Sequence, residues 1–226
     1  MHRYLTIIPA RKNSKRLKNK NLKFFFNKPL INFTFNIAKK IKKFDYILLS
    51  SNDDKIIRIA KKNKIHVPFK RPENLSRDKT DLNKVVIHAL HWYKTKFKQN
   101  PENIVILQPT SPLRDYVEFN KIISLYEKKK FQSLLTVSEP FQDPNDLFYF
   151  KKKIKKAIKK DIKNVFFLDG GLYMCKFSFF KKYGIITNEK SKIYQIKKSN
   201  SFDINDNFEF ELAEAYYLYN RSKFKL

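Results

Sequence analysis

Short apolar runs alternate with amphipathic stretches along most of the chain. Continuous apolar runs such as Ile104 to Leu107 are typical of strands buried on both faces of a parallel sheet. Between the runs, apolar residues recur at helical spacing, as in Leu82 to Phe97. This alternation is typical of βαβ units and predicts an α/β fold, with a mostly parallel central sheet flanked by helices.

The pattern predicts seven strands and five helices. The strands are expected at Tyr4 to Ile8, Tyr46 to Leu49, Ile65 to Phe69, Ile104 to Leu107, Leu134 to Val137, Leu172 to Cys175 and Ile193 to Ile196. The helices are expected at Pro29 to Ile41, after the capping residues 51–54, at Leu82 to Phe97, at Asp115 to Lys128 and at Phe208 to Tyr219. Residues at about 140–168 change character, with prolines and then many lysines, and predict a small arm on a single domain spanning residues 1–226.

Composition narrows the class of protein. With 42% hydrophobic residues in 226, the chain can bury a core, and its one cysteine excludes a disulfide framework. No apolar run approaches the ~20 residues that a membrane span requires. The first apolar run precedes a basic cluster, which is the wrong order for a secretion signal, so we expect a cytoplasmic protein without a membrane partner.

The formal net charge of +28 has two explanations. A basic face can bind nucleic acid by releasing counterions from phosphates, which would suit a non-catalytic binding protein. However, the lysines are spread along the whole chain, and few glycines and arginines accompany many Lys, Asn, Ile and Phe residues. We favour compositional drift from an A+T-rich coding sequence over a nucleic-acid partner.

The loop after the first predicted strand carries the strongest chemical signal. Residues 9–21 contain six cationic side chains and no acidic one: Arg11, Lys12, Lys15, Arg16, Lys18 and Lys20. A triphosphate needs such a density of donors, and the carboxyl ends of parallel strands are where ligands bind. The loop lacks the glycines of a P-loop, and a solvated lysine-rich loop is the alternative.

Four segments together resemble the acylneuraminate cytidylyltransferases, the CMP-sialic acid synthetases. They occur in the order of that family and span nearly the whole chain: residues 7–22 (IIPARKNSKRLKNKNL), 69–75 (FKRPENL), 107–114 (LQPTSPLR) and 202–214 (FDINDNFEFELAE). The resemblance implies a Rossmann-like nucleotidyltransferase that transfers CMP from CTP to a nonulosonic acid, with Mg²⁺, and a homodimer paired through the protruding arm. The related alternative is an enzyme for another acidic sugar such as Kdo.

The resemblance also implies roles for individual residues. Arg11 and Lys20 would hold the triphosphate and offset charge on the leaving pyrophosphate. The other expected contacts are Ser14 and Lys15 in the same loop, Asn21, Arg71 and Asn83 on the nucleotide, Gln108 on the sugar, and Ser111 beneath it. Tyr173 would line the sugar pocket, with a buried core tyrosine as the alternative.

The metal site implied by the resemblance centres on Asp203 and Asn205. The family usually has a second aspartate at the position of Asn205, so one negative charge is missing here. Asp206 could compensate for it if the turn bends differently. The alternative function for these side chains is N-capping of the helix that follows.

Overall fold

The computed structural model describes residues 2–12, 14–151, 153–156 and 165–223. Ten strands are described within these ranges: β1 Tyr4–Pro9, β2 Phe24–Phe25, β3 Lys28–Pro29, β4 Tyr46–Ser50, β5 Asn103–Ile106, β6 Ser133–Ser138, β7 Phe148–Lys151, β8 Lys153–Lys156, β9 Phe167–Lys176 and β10 Lys192–Gln195. Six α-helices accompany them: α1 Ile31–Lys40, α2 Asp54–Lys62, α3 Leu82–Phe97, α4 Tyr116–Lys128, α5 Phe177–Tyr183 and α6 Asn207–Tyr219.

Six strands form the central sheet in the order β10-β6-β9-β5-β1-β4. Parallel pairing joins β10 to β6 and both β5 and β4 to β1, whereas β9 runs antiparallel to its two neighbours. The predicted mostly parallel sheet is therefore confirmed. The carboxyl ends of β1, β4, β5 and β6 share one edge with the amino end of β9, and this edge collects the loops predicted to bind ligand.

Helices cover both faces of this sheet. Side chains of α1, α2 and α4 pack on one face, and those of α3 and α5 on the other. Neighbouring residues of β1 point to opposite faces: Tyr4 and Ile8 join the first layer, whereas Leu5 and Ile7 join the second. In a third cluster, α6 packs against the segment around Phe25 and so brings the carboxyl-terminal region close to the loop after β1. No helix among the described residues is long and apolar enough to cross a bilayer.

Aspartates begin four of the helices. The carboxylates of Asp53, Asp81, Asp115 and Asp206 accept backbone N–H groups in the first turns of α2, α3, α4 and α6. Asp206 therefore has the capping function that the sequence offered as an alternative to metal binding.

One helix and one strand differ in the structure from the bounds predicted for them. The first helix begins at Ile31, because Lys28–Pro29 pairs with Phe24–Phe25 in a short antiparallel ribbon. The strand expected at residues 65–69 is reduced to one parallel bridge between Leu48 and His66. Pro68 has no backbone N–H group with which to extend this pairing.

The predicted arm contains an antiparallel hairpin. Strand β7 pairs with β8 and forms a two-stranded sheet separate from the central one. Residues 152 and 157–164 of the expected arm lie outside the described residues. The role of the arm in dimerisation stays a prediction.

Candidate active site

A cavity of about 500 Å³ opens at the carboxyl edge of the sheet. Its walls come from the loop after β1, residues 71–85, the loop after β5, and the turn before α6. Eight residues predicted from the sequence line it: Arg11, Ser14, Lys15, Lys20, Asn21, Arg71, Gln108 and Asn205. Segments far apart in the chain thus meet at one concave surface.

The cavity is strongly cationic. Six side chains of its lining are basic: Arg11, Lys15, Arg16, Lys20, Arg71 and Arg77. Among the described lining residues, the single acidic side chain is Asp78. A cavity with this charge attracts a polyanion.

Lys20 joins the amino-terminal loop to the carboxyl-terminal turn. Its Nζ donates to the backbone oxygen of Ile204 at 2.6 Å. Burial lowers the pKa of the Lys20 ammonium to about 8, although the nearby Asp203 carboxylate opposes this shift and Arg16 adds to it. The protein thus stabilises the charge of Lys20 poorly, and an anion bound beside it would stabilise that charge.

Arg11 and Lys15 both contact Asp78. The Arg11 guanidinium donates a short hydrogen bond to one carboxylate oxygen, and Lys15 Nζ lies 3.0 Å from the other. Asn21 supports the loop from behind, since its Nδ2 donates to the backbone oxygen of Arg11 at 3.2 Å. Ser14 lines the cavity beside these groups.

Arg71 is almost fully buried in the cavity wall. Its Nε donates to Ser76 Oγ at 3.2 Å, and its backbone N–H donates to the oxygen of Ser51 at 2.7 Å. One terminal nitrogen of the guanidinium has no hydrogen-bond partner among the described residues. Burial lowers the pKa of Arg71 to about 10, so the group remains charged at neutral pH. A buried donor without a partner favours a ligand acceptor at this wall.

Gln108 lies in a turn fixed by the fully buried Arg114. The Arg114 guanidinium donates to the backbone oxygens of Gln108, Gly170 and Gly171 and to Thr34 Oγ1. It thereby ties the end of β5 to β9 and α1. Burial lowers its pKa to about 10, so it keeps its charge at neutral pH.

Close packing around Gly170 completes this wall. A Cβ atom at Gly170 would lie 2.8 Å from Gln108 Oε1, and its φ of +65° also disfavours other residues. Ser111 is buried, and its Oγ donates to the backbone oxygen of Asp169 at 2.7 Å, which holds the turn against β9. Ser111 lies outside the cavity lining and helps to fix the turn that carries Gln108, and its contact with a substrate stays a prediction.

Asp203 and Asn205 lie on the turn opposite the cationic loop. Asn205 Nδ2 faces Asp203 Oδ2 at 3.2 Å, while its Oδ1 accepts a hydrogen bond from Arg16 at 2.7 Å. The amide oxygen is thus engaged by a cation, and ligation of a metal by Asn205 stays a prediction. Among the described residues, no group of three or more His, Cys, Asp or Glu side chains could hold a metal ion.

Four predicted site residues are absent from the cavity lining: Asn83, Ser111, Tyr173 and Asp203. Asn83 Nδ2 donates to Asp81, and its Oδ1 accepts from the backbone N–H of Ile186. Both polar atoms of the Asn83 side chain are thus engaged in hydrogen bonds within the protein. Tyr173 packs among the side chains between the sheet and helices α3 and α5, as in the alternative of a core tyrosine. Asn83 therefore lies apart from the other candidates, whereas the Tyr173 hydroxyl is close enough to Asp203 for that carboxylate to contribute, after burial and Asp169, to its raised pKa.

The motifs did not predict a role for Asp78 or Arg114. Arg114 ends the LQPTSPLR segment, which was a usable signal, but an arginine is expected at the surface rather than in a core. Asp78 follows the FKRPENL segment, and its contact with Arg11 depends on a turn at residues 76–81 that the hydrophobic pattern cannot specify.

Comparison with known proteins gives consistent matches along the chain. The family described as Cytidylyltransferase matches residues 5–220. The chain is 28% identical to the N-acylneuraminate cytidylyltransferase of Escherichia coli O18:K1:H7, over 92% of this chain and 51% of that protein. It thus spans about half the length of this relative.

Two further proteins match over nearly their whole length. The pseudaminic acid cytidylyltransferase of Campylobacter jejuni serotype O:2 is 28% identical over 96% of this chain and 97% of that protein. The solved structure of CMP:2-keto-3-deoxy-manno-octonic acid synthetase complexed with CTP superposes with a TM-score of 0.69, covering 97% of this chain and 99% of that one. At 11% identity, that structure supports the fold alone.

Proposed function

Because the chain belongs to the cytidylyltransferase family, we propose that it transfers CMP from CTP to a nonulosonic acid and releases pyrophosphate. Sialic acid, pseudaminic acid and legionaminic acid are the candidate sugars. The proposal depends most on one observation, the cavity in which Arg11, Lys15 and Lys20 face the turn that carries Asp203. The two 28%-identical relatives support the class of sugar.

The reaction requires charge neutralisation above all. The anomeric hydroxyl of the sugar would attack the α-phosphorus of CTP, forming a new P–O bond while the bond to the β-phosphate oxygen breaks. Negative charge accumulates on the departing pyrophosphate, and cations fixed around it lower the barrier. Arg11, Lys15 and Lys20 would bind these phosphates. The unpartnered nitrogen of Arg71 and the side chain of Asn21 would contact the nucleoside, and Gln108 the sugar.

We further propose Mg²⁺ as the cofactor, held by Asp203 and the phosphates of CTP. Mg²⁺ binds through one or two carboxylates and takes its remaining ligands from substrate phosphates and water. A single partly exposed carboxylate opposite a cationic cavity fits that pattern. When bound, the metal would supply additional positive charge at the phosphates. Asp203 would hold it, while Arg16 holds the amide of Asn205.

The proposed assembly is a homodimer paired through the arm that contains β7 and β8. Exposed apolar side chains near the base of the arm, including Phe141, Phe167 and Leu168, favour a covered surface there. The measured mass in solution tests this part of the proposal.

A panel of sugars tests the activity. Pyrophosphate release is measured with CTP, Mg²⁺ and, in turn, sialic, pseudaminic and legionaminic acids and Kdo. We expect release with at least one of the first three, and a loss of about 100-fold or more in kcat/KM for Arg11→Ala, because one phosphate-binding cation is removed.

The matched control is Arg58→Ala, which removes an exposed arginine of α2 outside the cavity and should retain activity. Release with Kdo alone would support the related sugar class. No release with any sugar, together with tight and salt-sensitive RNA binding, would refute the proposal and favour the nucleic-acid alternative.

A further inference from the structure

Asp78 occupies an unusual position for an acidic residue. It lines a cavity whose other charged side chains are all basic within the described part of the chain, and its two carboxylate oxygens contact Arg11 and Lys15. These are two of the three cations that the proposed function assigns to the triphosphate. A phosphate group could not take its full contacts with them while Asp78 stays in place.

Hydrogen bonds within its own segment place Asp78 over the cationic loop. The backbone N–H of Thr80 donates to the oxygen of Arg77 at 3.1 Å, and Thr80 Oγ1 donates to the oxygen of Asn74 at 3.4 Å. These contacts curl residues 74–80 into a turn between Arg71 and α3. Hydrogen bonds from Lys15 and Arg11 also lower the pKa of the Asp78 carboxyl, so it is ionised at neutral pH.

We propose that Asp78 is an internal competitor for the triphosphate site: its carboxylate pairs with Arg11 and Lys15 in the free enzyme, is displaced by the polyphosphate, and returns as pyrophosphate leaves. The inference rests on the proposed function for the identity of the anion. It adds a residue that sets how tightly polyphosphates bind. The energetic basis is simple, because each ligand must replace ion pairs that already exist.

The expected effect follows from the exposure of these pairs. The side chains of Arg11, Lys15 and Asp78 are 32%, 80% and 29% exposed, so each ion pair is screened by water. Exposed pairs have modest energies, and removing two competing ones should strengthen binding by about three- to tenfold. Asp78→Asn keeps the size of the side chain and removes its charge.

The test is titration calorimetry of the full chain with inorganic pyrophosphate and with tripolyphosphate. We expect Asp78→Asn to bind both about three- to tenfold more tightly than the wild type. Product inhibition by pyrophosphate should strengthen by the same factor, and Asp78→Glu should restore wild-type affinity. The matched control is Asp54→Asn, which removes a carboxylate that pairs with Lys70 outside the cavity.

The outcomes separate this inference from the proposed function. If Asp78 only positions Arg11, the asparagine variant will bind pyrophosphate more weakly, and the inference is wrong. Equal affinities in Asp78→Asn and Asp54→Asn would also overturn it, even in an enzyme that forms CMP-sugars. Conversely, tighter polyphosphate binding in Asp78→Asn by a protein that uses no nonulosonic acid would support the competitor while refuting the proposed sugar.

Discussion

If Lys20 binds the triphosphate as proposed, we expect the binding of CTP to depend on pH in a range where few other side chains titrate. Burial lowers the pKa of this ammonium to about 8 in the free protein. Its charged form therefore predominates below pH 8 and is lost as the pH rises. The second ionisation of a phosphate group has a lower pKa, about 6, so the charge of CTP changes little over the range in which Lys20 loses its proton. Affinity should fall because the protein loses a cation.

The size of the effect follows from the lowered pKa. Above pH 8, the charged fraction of Lys20 falls about tenfold for each pH unit, and the affinity should follow it. Calorimetric titration with CTP at constant ionic strength, from about pH 7 to about pH 9.5, would cover the transition. The plot of log Kd against pH is expected to be flat at first and to approach a slope of one.

Unfolding of the protein would not explain a loss of CTP affinity at high pH. The unfolded chain keeps the Lys20 proton up to the ordinary pKa of 10.5, so between pH 8 and 10.5 the unfolded state binds more protons than the folded one. This group therefore makes the fold more stable as the pH rises, while the affinity declines. Lys20→Arg stays charged and should remove the slope. A flat profile in the wild type, or an equal slope in Lys20→Arg, would refute the reasoning.

Two substitutions test the walls of the cavity. Arg114→Lys should lower the free energy of unfolding by about 2–4 kcal/mol, because one ammonium cannot donate to all four acceptors of the buried guanidinium. The exposed control Arg58→Lys should change the free energy of unfolding by no more than about 0.5 kcal/mol. Urea unfolding measures both, and similar losses would contradict the role given to Arg114. Asn205→Asp places a second carboxylate next to Asp203 and should raise the affinity for Mn²⁺, measured by paramagnetic resonance with CTP present, by about threefold or more. Equal affinities would show that position 205 does not ligate the metal.

Most of the fold could be predicted because its signals are local. Helix α3 has the bounds that its hydrophobic spacing predicted, and the central strands lie where continuous apolar runs occur. The antiparallel direction of β9 could not be predicted, because a run of apolar residues does not indicate in which direction its strand crosses the sheet. Helix α5 was missed because it has only seven residues and no side-chain cap at its amino end.

In the candidate site, too, local motifs predicted some residues, whereas other contacts depend on how distant segments pack. Arg11 and Lys20 are close in sequence and share one loop, so a local motif was enough to select them. The hydrogen bond from Lys20 to Ile204 joins positions 184 residues apart and required the packing of α6 against α1. The positions of Asn83 and Tyr173 depend on which way each side chain points, and a motif match leaves that open.

The distribution of arginine independently supports the proposed binding of phosphates in the cavity. The chain has eight arginines against 41 lysines, as compositional drift toward lysine would produce. Yet the cavity lining contains four of those eight and only two lysines, and a fifth arginine, Arg114, fixes the turn behind it. A solvated surface would tolerate either residue. A planar guanidinium is required where two oxygens of one anion, or several carbonyls, must be bound in fixed geometry. Arginine is therefore concentrated around the cavity beyond its share of the composition, which supports the proposed binding of a polyphosphate there.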